Sequence, residues 1–229
     1  MATTSTYAYN PAASNLTLSA FARIGIKRAE ILAQHMADAD QEANLVQVEL
    51  SNRIPNLWAS ELYTQILTAG TATYTLPSRL VAFQAAYITT TSGGVSTDRL
   101  VFPYSAFEYA AIADKADQGT VTSYWLNTIV PPEVTFWPVP DSNATYTFKA
   151  RILRQIQDAS LISGATLDLP YRWLDVFVAK LAHRLARIYA PDKEMMRKQD
   201  AEEAWAIAAT TDKEAVPLYF NMAISQYYG

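Results

Sequence analysis

The stretch PYRWLDVFVAKLAHRLARIY, residues 170–189, decides the fold because it carries a strong helical pattern. Its apolar side chains recur at spacings of three and four residues, which places them on one face of a helix. These side chains are Leu174, Phe177, Val178, Leu181, Leu185 and Ile188. Pro170 suits a first helical turn, Asp168 is the expected cap, and Pro191 ends the segment. The stretch therefore predicts an amphipathic helix whose apolar face other helices cover.

The same helix carries two further stripes of side chains. One of them, the basic stripe, is formed by Lys180, Arg184 and Arg187. These side chains either pair with acids of the chain, such as Asp192, Glu202 or Glu203, or are solvated, or they contact a nucleic-acid backbone or an acidic partner. The other stripe has small side chains that let a second helix approach closely. It consists of Ala179, Ala182, Ala186 and Ala190.

Further helices are predicted toward both ends of the chain. Residues 193–211 form one of them, with a packing face of Ala201, Ala204, Trp205 and Ala208. Near the N-terminus, a helix capped by Thr17 or Ser19 runs to about residue 28, and a second helix ends before Pro55. We expect the N-terminal and C-terminal helices to form one bundle.

The middle of the chain has the composition and alternation of β-structure. In residues 145–152 apolar and polar side chains alternate, which predicts a strand with one buried face. The predicted buried set is Tyr146, Phe148, Ala150 and Ile152. Residues 134–137 are the expected hairpin partner of this strand. Other strands are predicted at 61–68, 80–90, 99–102 and 121–126, with a short helix at 104–113.

These patterns together predict an α+β fold in which a β domain is inserted into a helical bundle. The bundle comprises residues 16–58 and 168–212, and the β-rich insertion comprises residues 59–167. The strands are expected to form an antiparallel sheet, a sandwich or a small barrel. An extended N-terminal arm, residues 1–15, precedes the bundle, and a docking extension, residues 213–229, follows it.

The docking extension reads KEAVPLYFNMAISQYYG and is largely apolar, whereas a disordered solvated tail is normally polar and charged. Pro217 interrupts any helix near its start. Such a segment either covers a groove on its own domain or docks on another subunit. The residues expected to dock are Val216, Leu218, Tyr219, Phe220, Ile224, Tyr227 and Tyr228.

Composition limits the class of protein. Half of the 229 residues are apolar, only 17% are charged, and the formal net charge is −4. A protein that neutralises DNA over its whole surface is normally basic, so this class is excluded. The low charge indicates that much of the surface is buried against neighbouring subunits. The absence of cysteine excludes disulfides, and no run of about 20 apolar residues predicts a membrane span.

The sequence lacks the motifs of known catalytic sites. It has no Gly-rich phosphate loop, and its two histidines, His35 and His183, are too far apart to form a metal-binding pair. A hydrolase with paired carboxylates would draw on Glu61, Glu108, Glu133 or Asp141, but nothing in the sequence pairs any two of them. We therefore predict no enzymatic activity, no cofactor and no metal site.

A series of short stretches, taken in order, resembles the phage head-to-tail adaptors of podovirus type, also called connectors or head completion proteins. The stretches are residues 21–26 (FARIGI), 38–58 (DADQEANLVQVELSNRIPNLW), 74–77 (YTLP), 134–141 (VTFWPVPD) and 170–172 (PYR), the last running into LAHRLARIYAPDK. The resemblance covers about residues 16–228. The arm before Leu16 has no counterpart in the family pattern.

This resemblance implies a closed ring, commonly dodecameric, that lies under the portal protein and links the capsid to the tail. It implies further contacts with a tail nozzle, tail-tube or tail-fibre protein, and with double-stranded DNA that passes through the ring without sequence-specific contact. The docking extension would then climb onto the portal. We expect a virion protein that is assembled in the cytoplasm of the bacterial host, with no membrane partner.

Two alternatives stay open from the residues alone. One is a cell-wall hydrolase carried in the virion, which would use Glu61, Glu108 or Glu133. The other is a connector or tail-tube component of a long-tailed phage. A tail-tube protein should be mostly β-structure and lack the paired terminal helices, which argues against that assignment.

Overall fold

A computed structural model describes residues 7–53, 57–161 and 164–211 of the chain. Its α-helices are α1 Ala13–Ile24, α2 Ala33–Arg53, α3 Ala106–Ala111, α4 Leu174–Tyr189 and α5 Glu194–Thr211. Its strands are β1 Ser60–Leu67, β2 Thr73–Thr75, β3 Leu80–Ser92, β4 Val95–Leu100, β5 Phe102–Tyr104, β6 Gln118–Gly119, β7 Ser123–Asn127, β8 Glu133–Trp137, β9 Val139–Pro140 and β10 Thr145–Arg154. Terminal helices flank a β region, and the predicted α+β class is confirmed.

Helix α4 lies at the centre of the helical part and packs against α1, α2 and α5. Its apolar face is buried as predicted, except for Ile188, which is exposed in the last turn. The largest fully buried apolar side chains of this core are Phe21, Ile24, Leu50, Trp173, Phe177, Leu181 and Leu185. Burying one such side chain gives roughly 1.5–3 kcal/mol, so the helices are stable only as a bundle.

The start of α4 differs from the prediction. A single 3₁₀ turn, Tyr171–Trp173, precedes the helix, and Asp168 does not cap it. The Asp168 carboxylate instead accepts hydrogen bonds from the Arg154 guanidinium and from the backbone N–H of Gln157, the latter at 3.1 Å. The guanidinium forms a charge-assisted, bidentate contact, which is stronger than a bond to a helical amide. The predicted cap is therefore wrong.

Helix α1 also begins earlier than predicted, at Ala13. Thr17 and Ser19 lie inside the helix, and each hydroxyl donates to the carbonyl four residues before it, at 3.0 and 3.1 Å. Neither residue is a cap. The backbone N–H of Ala13 donates to Ala165 O at 2.8 Å, so a tertiary backbone partner satisfies the helix start in place of a side chain.

Gly25 ends α1 in the left-handed region, with φ of 96°. The N–H groups of Gly25 and Ile26 donate to Ala22 O and Phe21 O, which satisfies the last carbonyls of the helix. The Lys193 ammonium also donates to Ile24 O at 2.7 Å, so the helix end is fixed to the 3₁₀ turn Pro191–Lys193 that precedes α5.

We expect Gly25→Ala to destabilise the protein by about 1–2 kcal/mol, because the left-handed backbone is unfavourable for alanine. The new Cβ would also lie 2.6 Å from Lys193 Nζ and would displace that ammonium from its carbonyl. Gly70→Ala is the matched control, since Gly70 has φ of 78° and no atom within 4 Å of a new Cβ. Chemical denaturation should show a larger loss at Gly25. Equal losses of stability at both positions would show that the hydrogen bond from Lys193 to Ile24 O does not stabilise the protein.

The β region consists of two four-stranded sheets. The first sheet has the order β1-β10-β3-β4, with every pair antiparallel. The second has the order β2-β8-β7-β5, in which β5 runs parallel to β7. A short parallel pair joins β6 and β9. The expectation of antiparallel structure therefore holds for the first sheet, whereas the second sheet also contains a parallel pair.

Strand β10 confirms the predicted alternation and corrects the predicted pairing. Its buried side chains include Tyr146, Phe148, Ala150 and Ile152, as expected. Its neighbours are β1 and β3, whereas residues 134–137 belong to β8 and pair with β2 and β7 in the other sheet. Alternation tells which face of a strand is buried, but it does not tell which strand lies beside it.

The two sheets pack face to face as a sandwich around an aromatic core. The ring centroids of Phe136 in β8 and Phe148 in β10 are 4.8 Å apart, and Phe83 and Tyr124 pack against the ring of Phe148. Because the two inner faces share one core, the two outer faces of the sandwich point away from each other.

The chain crosses between the sandwich and the bundle at two neighbouring points. The first crossing leads into β1 at Ser60 and the second leaves β10 at Arg154, and Ser60 pairs with Leu153. At this junction the Trp58 ring packs against the Trp173 ring, with centroids 5.0 Å apart.

The segment after β10 belongs to the helical core. Ile156, Ala159 and Leu161 are buried with the helices, although they precede the predicted bundle boundary at residue 168. Asn44 of α2 holds this segment, because its amide accepts from the N–H of Ala159 at 2.9 Å and donates to the carbonyl of the same residue at 3.2 Å.

Candidate functional site

The first member of the basic stripe, Lys180, is inside the helical bundle. Only 2% of it is exposed, and its ammonium donates to Glu49 Oε1 at 2.8 Å and to Glu202 Oε1 at 3.0 Å. Glu49 belongs to α2 and Glu202 to α5. One lysine on α4 therefore holds three helices together.

The other two members of the basic stripe also pair within the chain. Arg184 contacts Glu42 Oε2 at 3.0 Å and Glu49 Oε2 at 3.2 Å, and both acids are on α2. Arg187 contacts Glu194 Oε1 at 3.2 Å, at the start of α5. The stripe is thus the centre of an ion-pair cluster that faces the neighbouring helices.

Pairing shifts the pKa values of the acids in this cluster. Hydrogen bonds from Arg53, at 2.7 and 2.9 Å, together with those from Lys180, lower the pKa of Glu202 to about 2. Burial raises the pKa of Glu49, but hydrogen bonds and charges from Lys180 and Arg184 outweigh that effect and lower it overall. Both carboxylates are therefore ionised at neutral pH.

These ion pairs limit what the basic stripe can bind. A phosphate or an acidic partner would have to displace Glu42, Glu49 or Glu202 from Lys180 and Arg184. Only Arg187 keeps about half of its side chain exposed. Contact of the stripe with DNA or with an acidic partner stays a prediction, and Arg187 is the member placed to make it.

Sequence reasoning expected Glu202 as a partner of the stripe but missed Glu42, Glu49 and Glu194. Glu42 and Glu49 are seven residues apart, so they lie on the same side of α2 two turns from each other. Arg184 of α4 contacts both of them. Two acids that recur on one side of a helix are the signal that could have identified them.

His183 borders the same cluster. Its Nε2 lies 3.4 Å from Arg187 Nη2 and 3.7 Å from Glu194 Oε1. Burial and the positive charge of Arg187 lower its pKa below the usual 6.5, so the ring is mostly neutral at pH 7. The histidine thus belongs to the packing between α4 and α5.

Three of the carboxylates that a hydrolase would need have separate structural contacts. Glu61 accepts from Arg79 Nη2 at 2.8 Å, and Asp141 accepts from Tyr146 Oη at 2.8 Å. Glu108 accepts from the backbone N–H of Ser105 at 2.7 Å and thereby caps α3. Each of these three acids has a role in local structure, and within the described part of the chain no contact joins any two of them.

Over residues 7–53, 57–161 and 164–211, no cluster of three or more histidine, aspartate or glutamate side chains is arranged to hold a metal ion. Within the same ranges, no helix combines the length and the apolar character needed to cross a membrane.

The docking extension, residues 213–229, lies outside the described residues. This holds for all seven residues that were expected to dock: Val216, Leu218, Tyr219, Phe220, Ile224, Tyr227 and Tyr228. Helix α5 ends at Thr211, directly before the extension. The role of the extension stays a prediction.

The described surface carries several exposed apolar side chains. Those on the β sandwich include Leu62, Ile66, Leu100, Phe102, Phe107 and Val130, and those on or beside the helices include Tyr171, Met195 and Ile207. Single exposed apolar residues are common in proteins, but neighbouring ones mark surfaces that bind partners. Leu62 and Ile66 share the exposed face of β1, which is a surface of this kind.

A family model described as SU10 adaptor protein matches residues 16–219 of the 229-residue chain. The chain belongs to the SU10 adaptor protein family. The match to the SU10 adaptors begins at residue 16, where the resemblance to head-to-tail adaptors also begins, and it leaves out residues 1–15 and 220–229. No curated protein matches the chain.

Membership of the SU10 adaptor family confirms the adaptor part of the resemblance. The protein is a structural phage head–tail adaptor, and it belongs to the virion at the junction of head and tail. Of the expected docking residues, Val216, Leu218 and Tyr219 lie within the family match, whereas the other four follow it.

Proposed function

We propose that this SU10 adaptor forms a closed ring of podovirus type under the portal protein and links it to the first tail proteins. The observation that carries the proposal is the family match over residues 16–219. A dodecamer is the ring size proposed, in line with the adaptors that the chain resembles. Low charge and exposed apolar side chains on the sandwich agree with a chain that has neighbours on several sides.

The centre of the ring serves as part of the channel for double-stranded DNA. Passing DNA requires a lining that does not hold phosphates tightly, because each neutralised phosphate strengthens binding. The formal net charge of −4 fits this requirement. So do the ion pairs of Lys180 and Arg184, which engage two cations within the bundle.

Imaging the assembled particle tests the ring. Image averages of the head–tail junction should place a ring of this protein between the portal and the tail, and a tag on its N-terminal arm should mark that ring. A tagged protein found elsewhere in the particle would overturn the proposal.

Truncation after Thr211 is expected to weaken binding of the adaptor to portal rings by at least about 100-fold. The physical reason is multivalency: many apolar extensions on one ring act together, and each raises the effective concentration of the next. Co-sedimentation of the purified protein with portal rings measures the loss.

A full-length variant with serine at the seven docking positions is the matched control for that truncation, because it keeps the length and removes the apolar side chains. It should bind as weakly as the truncated chain, while both variants keep the helical circular dichroism spectrum of the wild type. Undiminished binding of either variant would show that the extension is not the portal contact.

A further inference from the structure

The outer face of the first sheet is built from aligned rows of side chains. Across the sheet, Leu62 lies opposite Arg151, Thr64 lies opposite Lys149, and Ile66 lies opposite Thr147. On the other side of β10, Lys149 lies opposite Tyr87, which in turn lies opposite Leu100. These residues share one face because successive side chains along each strand alternate between the two sides.

This outer face, the basic face, combines exposed apolar side chains with two cations. Leu62, Ile66 and Leu100 are each more than half exposed. Among the described residues, Lys149 and Arg151 form no ion pair, and the Lys149 ammonium lies 5.8 Å from the Tyr87 ring centroid. The face has a carboxylate at its β4 edge, Asp98, which accepts from Thr89 at 2.6 Å.

The outer face of the second sheet has the opposite character. Helix α3 covers it, with Tyr109 stacked on Trp125 at 5.1 Å between ring centroids. Beside α3 lies an open cleft of about 470 Å³, here called the acidic cleft, whose apolar walls include Phe107, Ile112 and Trp137. Phe107 is 82% exposed, although it is a large apolar side chain.

Three carboxylates border the acidic cleft: Glu108, Asp114 and Asp117. The nearby cation Lys115 is engaged, because its ammonium donates to Ala110 O and Ile112 O at 3.2 and 2.9 Å. The cleft therefore offers apolar walls and an excess of negative charge. Those are the two features that a lysine or arginine side chain needs, since its stem is apolar and its end is charged.

We propose that the basic face of one copy binds the acidic cleft of the next copy, with Lys149 or Arg151 inserted beside Phe107. The inference rests on the proposed ring and identifies its subunit contact. The two surfaces lie on opposite sides of the sandwich and differ in charge, so one copy presents both halves of a head-to-tail interface. Such an interface repeats from copy to copy, and the copies form a closed ring when the rotation between neighbours divides a full turn.

A second copy of the chain fits this pair of surfaces better than DNA does. A phosphate backbone would suit Lys149 and Arg151, but it would leave the acidic cleft without a partner of opposite charge. A two-fold contact of one face with itself would bring like charges together. A head-to-tail arrangement of copies gives both surfaces a partner with a single contact.

Charge exchange tests the contact. Lys149→Glu with Arg151→Glu, and separately Asp114→Lys with Asp117→Lys, should each reduce the number of copies retained per assembled particle by about tenfold or more. The chain that carries all four substitutions should recover assembly, because the charges are exchanged and attract again. Recovery separates a lost contact from a damaged fold. If each two-site variant assembles like the wild type, the contact is wrong and the ring proposal is unaffected.

Cross-linking gives an independent measurement, because the chain contains no cysteine and an engineered pair is unique. Particles assembled from the variant Lys149→Cys with Asp117→Cys should give a ladder of oligomers after oxidation. The control pair, Lys149→Cys with Ser142→Cys, should stay monomeric. Particles that show a ring but yield no ladder would overturn the contact alone, whereas particles without any ring of this protein would overturn the proposed function as well.

Discussion

Replacing Phe148 by alanine is expected to destabilise the β sandwich by about 3–5 kcal/mol, because it leaves a cavity between the two sheets. The side chain is fully buried, and its ring packs against Phe136, Phe83 and Tyr124. Aromatic pairs of this kind contribute about 0.5–1.5 kcal/mol beyond the area that they bury. Denaturant unfolding followed by tryptophan fluorescence measures the loss.

Phe102→Ala is the matched control for that substitution. The same side chain is removed, but Phe102 is 64% exposed, so the change should stay within about 0.5 kcal/mol of the wild type. Similar losses for the two variants would mean that the two sheets do not depend on the ring of Phe148.

Replacing Lys180 by alanine is expected to destabilise the bundle by about 2–3 kcal/mol. Removing one partner of a buried pair leaves charge without compensation and costs about 3–5 kcal/mol when all groups are deeply buried. Glu49 and Glu202 are partly exposed and keep contacts with Arg184 and Arg53, so the expected loss is smaller. Thermal unfolding followed by circular dichroism measures it.

The effect of Lys180→Ala should depend on pH. The pKa of Glu202 is lowered to about 2 in the folded chain from an ordinary value of 4.5, so its stabilising contacts are fully present above about pH 5. They are lost as the pH falls toward 2, because the carboxylate becomes protonated. The stability difference between the wild type and Lys180→Ala should therefore shrink over that range.

Two lysine variants serve as controls. Lys180→Met keeps the buried apolar stem but removes the same charge, so it should lose most of the stability that the alanine variant loses, about 2 kcal/mol. Lys198→Ala removes an exposed lysine of α5 and should change little. A loss at Lys180→Met much smaller than at Lys180→Ala would assign the effect to packing of the lysine stem, and equal stability of all three variants would contradict a stabilising role for the ion pairs of Lys180 with Glu49 and Glu202.

Sequence periodicity predicted the helices and strands of this fold better than it predicted which of them pair with each other. The apolar positions 174, 177, 178, 181 and 185 gave α4, and the alternation from Tyr146 to Ile152 gave β10, because each pattern reflects which side of one element is buried. Strand pairing depends on parts of the chain that are distant in sequence. The partner of β10 was predicted wrongly for that reason.

Polar contacts were harder to predict than apolar ones. Asp168 has the residue type and position of a helix cap, but its carboxylate accepts hydrogen bonds from Arg154 of β10 instead. The glutamates that pair with Lys180 and Arg184 come largely from α2, more than a hundred residues earlier in the chain. The basic face and the acidic cleft could not be predicted from the sequence for the same reason. The basic face combines residues of four strands, and the acidic cleft combines α3, the residues after it and Trp137 of β8.

The two neighbouring crossings between sandwich and bundle have a mechanical consequence. A force that pulls the sandwich away from the helices is divided between two covalent chains that run side by side at Ser60 and Leu153. The rings of Trp58 and Trp173 pack against each other at the same place, tilted by 45°. The sandwich and the bundle are therefore joined by two chain segments and a ring contact at one place, so a force applied to either part is passed to the other through both segments.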